Sequence, residues 1–139
     1  MDNPFLQPFQ MVAFYAAINA LIMLVLGMLV VRARVKTRTE IGDGGDPNMI
    51  GPLRAHANNT EYVPTALILL FILYSMGASI YVIHAMGAAL TLGRLMHAVG
   101  LSRNIGTSLM RLLGMILTWL AFLIGIAATL WLTFGPAAS

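Results

Sequence analysis

Charged side chains leave three long gaps in this chain. None falls between Asn3 and Val31, none between Tyr62 and Gly93, and none between Leu112 and Ser139. A helix rising about 1.5 Å per residue needs about 20 apolar residues to cross about 30 Å of hydrocarbon, and each gap is long enough. The first predicts a helix over Met11 to Val31, closed by Arg32, Arg34, Lys36 and Arg38. The last predicts one from about Ser108 to Phe134, stopped by Gly135-Pro136. The middle gap is too long for one crossing and too short for two with a turn. Extending it outward resolves this, with one helix over about 54–76, a turn at Gly77-Ala78-Ser79, and another helix over about 80–99. That reading draws Arg54, Asn58, Glu61, Arg94 and His97 onto helices that enter the membrane. The stretch from Glu40 to Pro52 is rich in Gly, Asp and Pro and has no helical periodicity, so 32–53 reads as a connecting loop.

Composition agrees with a membrane chain. Of 139 residues, 59% are hydrophobic and 9% charged, whereas soluble domains run near 45–50% apolar and about 25% charged. No Lys or Arg precedes Arg32, so the start does not read as a secretory signal and the first apolar segment is expected to persist as a span. With no cysteine, the chain has no disulfide, no thiolate metal site and no nucleophilic thiol of its own. Any thiol chemistry must use a thiol brought by a substrate. The net charge of +3 would suit nucleic acid in a soluble protein, but here its distribution points to topology. All eight basic residues lie in or beside the segments joining helices 1 to 2 and 3 to 4, and none lies at either end or in the 77–79 turn. Basic loops stay in the cytoplasm. The expectation is therefore an all-α, four-transmembrane-helix bundle, one domain over 1–139, with both termini on the non-cytoplasmic side. No nucleic-acid partner is expected. A three-helix reading would put Arg94 and Arg103 opposite the first basic cluster. No repeat and no glycine-rich phosphate loop is present.

Helix 2 opens Leu53-Arg54-Ala55-His56-Ala57-Asn58-Asn59-Thr60-Glu61-Tyr62-Val63-Pro64. Arg54, Asn58, Glu61 and Tyr62 stand at i, i+4, i+7 and i+8, on one helical face. Helix 3 returns to the same side with Arg94 and His97 one turn apart, and helix 4 starts there with Arg111. Each residue alone could snorkel toward headgroups or pair for packing. Several ionisable groups at one level on three helices are harder to reduce to that, because each is costly within the bilayer. Together they suit a zwitterionic ligand bearing carboxylates: arginines for carboxylates, Glu61 for an ammonium, Asn58 for a backbone amide.

The string Arg54-Ala55-His56-x-Asn58-x-x-Glu61-Tyr62-x-Pro64 resembles the helix-2 signature of the MAPEG family, the membrane-associated proteins in eicosanoid and glutathione metabolism. Gly93-Arg94-Leu95-x-His97 is similar to its helix-3 signature. The length and the four spans also fit, so the likeness extends over nearly the whole chain. The resemblance implies a homotrimer binding glutathione, as co-substrate, between protomers near the cytoplasmic face. By that analogy Arg54, Asn58, Glu61, Tyr62, Arg94 and His97 hold the tripeptide, and Arg32 or Arg34 adds a carboxylate contact. Family members carry an arginine early in helix 4 that stabilises the glutathione thiolate; here it is Arg111, in Arg111-x-x-Gly114. An arginine beside a thiol favours the ionised, nucleophilic form. The resemblance thus implies a glutathione transferase or peroxidase, without a metal, whose lipophilic electrophile arrives from the bilayer. It also admits a catalytically silent membrane subunit. One turn beyond His97, where eicosanoid-handling members often carry an aromatic residue, stands Leu101.

Other residues read structurally. His56 lies off the polar face, at an interface. His84 lies near the outer end of helix 3 with no polar partner at its level. Asn19 suits an interhelical hydrogen bond, Tyr74, Tyr81 and Trp131 an aromatic belt, and the methionines adaptable packing. Two other functions fit the sequence less well. A haem anchor needs paired histidines inside the bundle, but His56 and His97 sit near its edge. A proton-coupled exporter needs an ionisable group near mid-span, and helix 1 has none. The location that fits best is a bacterial inner membrane.

Overall fold

The computed structural model describes residues 6–103 and 106–136. The chain ends, whose side of the membrane the charge pattern assigns, lie outside the described residues, as does the side chain of Arg103. Four helices follow one another: α1 (Leu6–Thr37), α2 (Pro47–Ser75), α3 (Ile80–Arg103) and α4 (Leu109–Phe134). Three of them, α1, α3 and α4, are long and apolar enough to cross a membrane. The polar first half of α2 keeps it below that mark although its 29 residues match its neighbours in length.

Two boundaries differ from the sequence reading. The expected loop 32–53 shrinks to 38–46, because helix extends into it from both sides. Arg32, Arg34 and Lys36 continue α1, since Arg and Lys are good helix formers and sit well at the negative end of the helix dipole. The helix stops where Arg38 turns to a positive φ of 54°, and Arg34 Nη1 donates to the carbonyls of Thr39 (3.2 Å), Glu40 (3.0 Å) and Gly42 (3.3 Å). Upstream of Arg54, α2 begins at Pro47. Asp46 is its N-cap, accepting from the Asn48 amide at 2.8 Å, and Pro47 occupies the first turn, where no backbone donor is needed. The 77–79 turn forms as expected: Gly77 takes a φ of 76°, and the Ala78 amide closes α2 on the Leu73 carbonyl at 2.9 Å.

Helix α3 is central, with 56% of its apolar window buried against 22% for α1 and α4. Helices α1 and α2 run antiparallel: Val12 and Tyr15 pack near Leu70 and Leu73 in one core cluster, while Ile22 and Leu26 meet Ala55 in another. The α3–α4 contact is the closest in the bundle, and small residues allow it. A Cβ on Gly93 would meet the Gly114 carbonyl at 2.8 Å, and one on Gly114 would meet the His97 amide at 2.5 Å. Membrane helices, which lack a hydrophobic drive between them, associate through such close approach. This approach brings the start of α4 beside the last two turns of α3.

Candidate functional site

Asn19 forms the expected interhelical bond, donating from Nδ2 to Thr91 Oγ1 at 2.9 Å. His84 does have a polar partner, against expectation: the Tyr15 hydroxyl lies 2.9 Å from its Nδ1. Tyr15 is far away in sequence, and only the parallel packing of α1 on α3 sets the two at one level. His56 is half-buried against Gly27 of α1.

The polar residues of α2, α3 and α4 do converge, in two layers. The inner layer is built on Arg94, which is 1% exposed. Its Nε donates to Thr118 Oγ1 at 3.1 Å and its Nη1 to Asn58 Oδ1 at 2.7 Å. Its Nη2 points at Met115 Sδ at 3.4 Å, and the guanidinium carbon lies 5.3 Å from the centroid of the Tyr62 ring. Tyr62 is itself held edge-on by Phe122 of α4. A buried guanidinium is tolerable only when such partners replace water. Arg94 therefore ties α2, α3 and α4 together at one height.

The outer layer is a cavity of about 250 Å³ lined by Ile50, Arg54, Asn58, His97, Leu101 and Arg111. Asn58 belongs to both layers: its oxygen is held by Arg94 while its side chain lines the cavity. A second, larger cavity of about 550 Å³ also has His97 and Arg111 in its wall, and continues outward over Leu112, Met115 and Trp119. Polar and apolar spaces thus share one boundary, His97 and Arg111. Arg111 sits one turn after the Ser108 N-cap, which accepts its backbone amide at 3.3 Å, and its Nη1 donates to the Gly106 carbonyl.

Of the seven residues singled out from sequence, Arg54, Asn58, His97 and Arg111 line the polar cavity. Arg94 lies behind it with its donors engaged, and Tyr62 packs on Arg94. Glu61 is exposed and lines neither cavity. Thr118 and Met115 join the site without standing out in the sequence. The signal for them is helical spacing, since Met115 and Thr118 follow Arg111 by four and seven residues and so share its face of α4.

The profile of the MAPEG family matches residues 12–131. The chain belongs to the MAPEG family. Within that match lie the whole of α3 and the polar half of α2, so all the cavity-lining residues fall inside the MAPEG region. The chain is 36% identical over 119 residues to the inner membrane protein YecN of Escherichia coli K12, an alignment covering 86% of this chain and 89% of that protein. The YecN protein of E. coli O6:H1 strain CFT073 aligns with the same identity and coverage. No solved structure matches the chain with significance. It is a multi-pass membrane protein of this family.

Proposed function

We propose that this chain is a glutathione-dependent membrane enzyme of the transferase or peroxidase type. The observation that carries the reading is the shared boundary of the two cavities: Arg54, Asn58, His97 and Arg111 on the polar side, and Leu112, Met115 and Trp119 on the apolar side. A peptide thiol and a lipophilic electrophile need two such spaces meeting at one point. Family membership adds to this, since many MAPEG proteins depend on glutathione.

In this reading the tripeptide binds on the polar side, with Arg54 taking a carboxylate and Asn58 a backbone amide. Arg111 stabilises the sulfur as thiolate, because a cation beside a thiol favours its ionised form. The thiolate then either displaces a leaving group from a lipophilic carbon electrophile, or attacks the distal oxygen of a hydroperoxide, breaking the O–O bond to give an alcohol and a glutathione sulfenic acid that a second glutathione converts to disulfide and water. Glu61 completes the ligand set from the exposed face of α2 and His97 from the cavity wall, while Arg94, with Tyr62 packed on it, positions Asn58. All four helices cross, with the loop 38–46 in the cytoplasm, in a bacterial inner membrane such as the one YecN is named for. The functional unit is a homotrimer, whose neighbouring protomers enclose the open side of the site.

A second reading is a catalytically silent member. It is favoured by the Arg111 guanidinium being turned onto Gly106 of its own loop, and by Leu101 standing in the cavity where an aromatic residue is common in eicosanoid-handling relatives. Ultraviolet difference spectroscopy separates the two. Detergent-purified protein titrated with glutathione at neutral pH is expected to give a saturable thiolate band, and Arg111→Ala to abolish it. Absence of the band, together with no heat of binding by calorimetry, overturns the glutathione reading and leaves the silent one.

A further inference from the structure

We infer that the cytoplasm-proximal end of α1 carries a binding site for an anionic glycerophospholipid, in a cavity that shares no residue with the polar one above and that takes for the lipid the Arg32 which the family resemblance offers to glutathione. Four basic residues lie at or just past the end of α1, and the fold uses them differently. Arg34 is held by three loop carbonyls, and Arg38 lies past the helix end at positive φ. Arg32 and Lys36, one turn apart, have no hydrogen-bond or ion-pair partner among the described residues. They face a cavity of about 260 Å³ whose other walls include Asn48 and Pro52 of α2 and Leu29 of α1.

Leu29 is also the end wall of a second, apolar groove of about 370 Å³, formed by Leu21 and Val25 of α1 with Leu95, Ala98 and Val99 of α3. The residues Leu21, Val25, Leu29, Arg32 and Lys36 form one stripe along α1, apolar for its first part and cationic for its last. The two spaces adjoin at Leu29 and follow this stripe, apolar in one and cationic in the other. From residue 21 to residue 32 a helix rises about 16 Å, close to half of the roughly 30 Å hydrocarbon thickness, which is the depth of one leaflet. A phosphodiester between Arg32 and Lys36 would place an acyl chain along Val25 and Leu21. Free phosphate matches only the cationic end, and a neutral lipid only the apolar part. Charge and shape together select a lipid with a net negative headgroup, the kind that basic clusters attract at a membrane surface.

Native mass spectrometry of the delipidated full-length protein in neutral detergent tests this. It compares phosphatidylglycerol and phosphatidylcholine of identical chains with glycerol 3-phosphate. Phosphatidylglycerol is expected to bind roughly thirty-fold more tightly than phosphatidylcholine, from two basic contacts. The double variant Arg32→Ala/Lys36→Ala should erase that preference. Arg38→Asn, which loses a charge but keeps a residue tolerant of positive φ, should retain it. Val25→Trp, filling the groove, should weaken both lipids alike. Equal affinity of the two lipids overturns the proposal, as does loss of the preference in Arg38→Asn, which would mean diffuse charge. Glycerol 3-phosphate binding as tightly as the lipid would reduce the site to an anion site. Displacement of the lipid by glutathione would assign Arg32 to the peptide instead.

Discussion

Each nitrogen of the Arg94 guanidinium points at a neighbouring helix, and the groups it meets decide how much it stabilises. Thr118 is the partner easiest to remove cleanly, because valine has nearly its shape. Thr118→Val deletes the acceptor of Arg94 Nε and leaves a buried charged donor without a partner, so it is expected to cost about 1–3 kcal/mol. Thr129 supplies the contrast on the same helix. Its hydroxyl is buried with no hydrogen-bond partner among the described residues, so Thr129→Val should be neutral or slightly stabilising. Thermal unfolding in one detergent, read by circular dichroism, compares the two. Equal losses in both variants would mean that the Arg94–Thr118 bond contributes nothing beyond packing. The comparison also bears on Asn58, since the same guanidinium holds, through Nη1, the amide that lines the polar cavity.

At the scale of elements, the N-terminus of α2 shows what sequence could and could not reveal. Alternation of charged and uncharged runs placed four helices and the 77–79 turn, because a bilayer demands length and apolarity that nothing else in a short chain imitates. It did not place the first two turns of α2. Gly51 and Pro52 read as breakers, and the segment has no apolar period. What makes it helical is local capping by Asp46 and Pro47, together with burial of Met49, which is 0% exposed, beneath the end of α1. The site was legible in the same uneven way. Helical spacing put Arg54, Asn58, Glu61 and Tyr62 on one face and Arg94 beside His97, and the start of helix 4 brought Arg111 to their level, whereas the burial of Arg94 and the outward turn of Glu61 depend on how α2 is rotated against α3 and α4. Asp46→Ala tests the capping argument. It should cost about 1 kcal/mol and raise amide hydrogen exchange over residues 48–50, leaving the rest of α2 protected. Unchanged exchange there would mean that tertiary packing, not the cap, holds this end of the helix. Since Ile50 lines the polar cavity, fraying at this end would also loosen that wall.

For the whole molecule the open physical question is whether α2 crosses, because its hydropathy is diluted by the very residues that line the site. Packing argues that it does: α2 runs antiparallel to α1, and its apolar half, with Ala66, Leu70 and Leu73 fully buried, lies in the core cluster that also holds Val12 of α1 and Ile83 of α3. Polar groups at that depth are tolerated where they meet protein instead of lipid, which is what Arg94 does for Asn58. The absence of cysteine makes the test simple. Single variants Ile41→Cys, in the 38–46 loop, and Ser79→Cys, in the α2–α3 turn, place one thiol at each exposed connection. In intact cells of a bacterial host, a membrane-impermeant maleimide is expected to label Ser79→Cys directly. It should reach Ile41→Cys only after permeabilisation, if the basic residues that flank the loop orient the bundle as proposed. The opposite pattern would invert the bundle and place the polar cavity on the outside, away from a cytoplasmic pool of peptide thiol. Labelling of both positions from one side would mean that α2 does not cross, and that Arg54, Asn58 and Arg94 meet at a membrane surface.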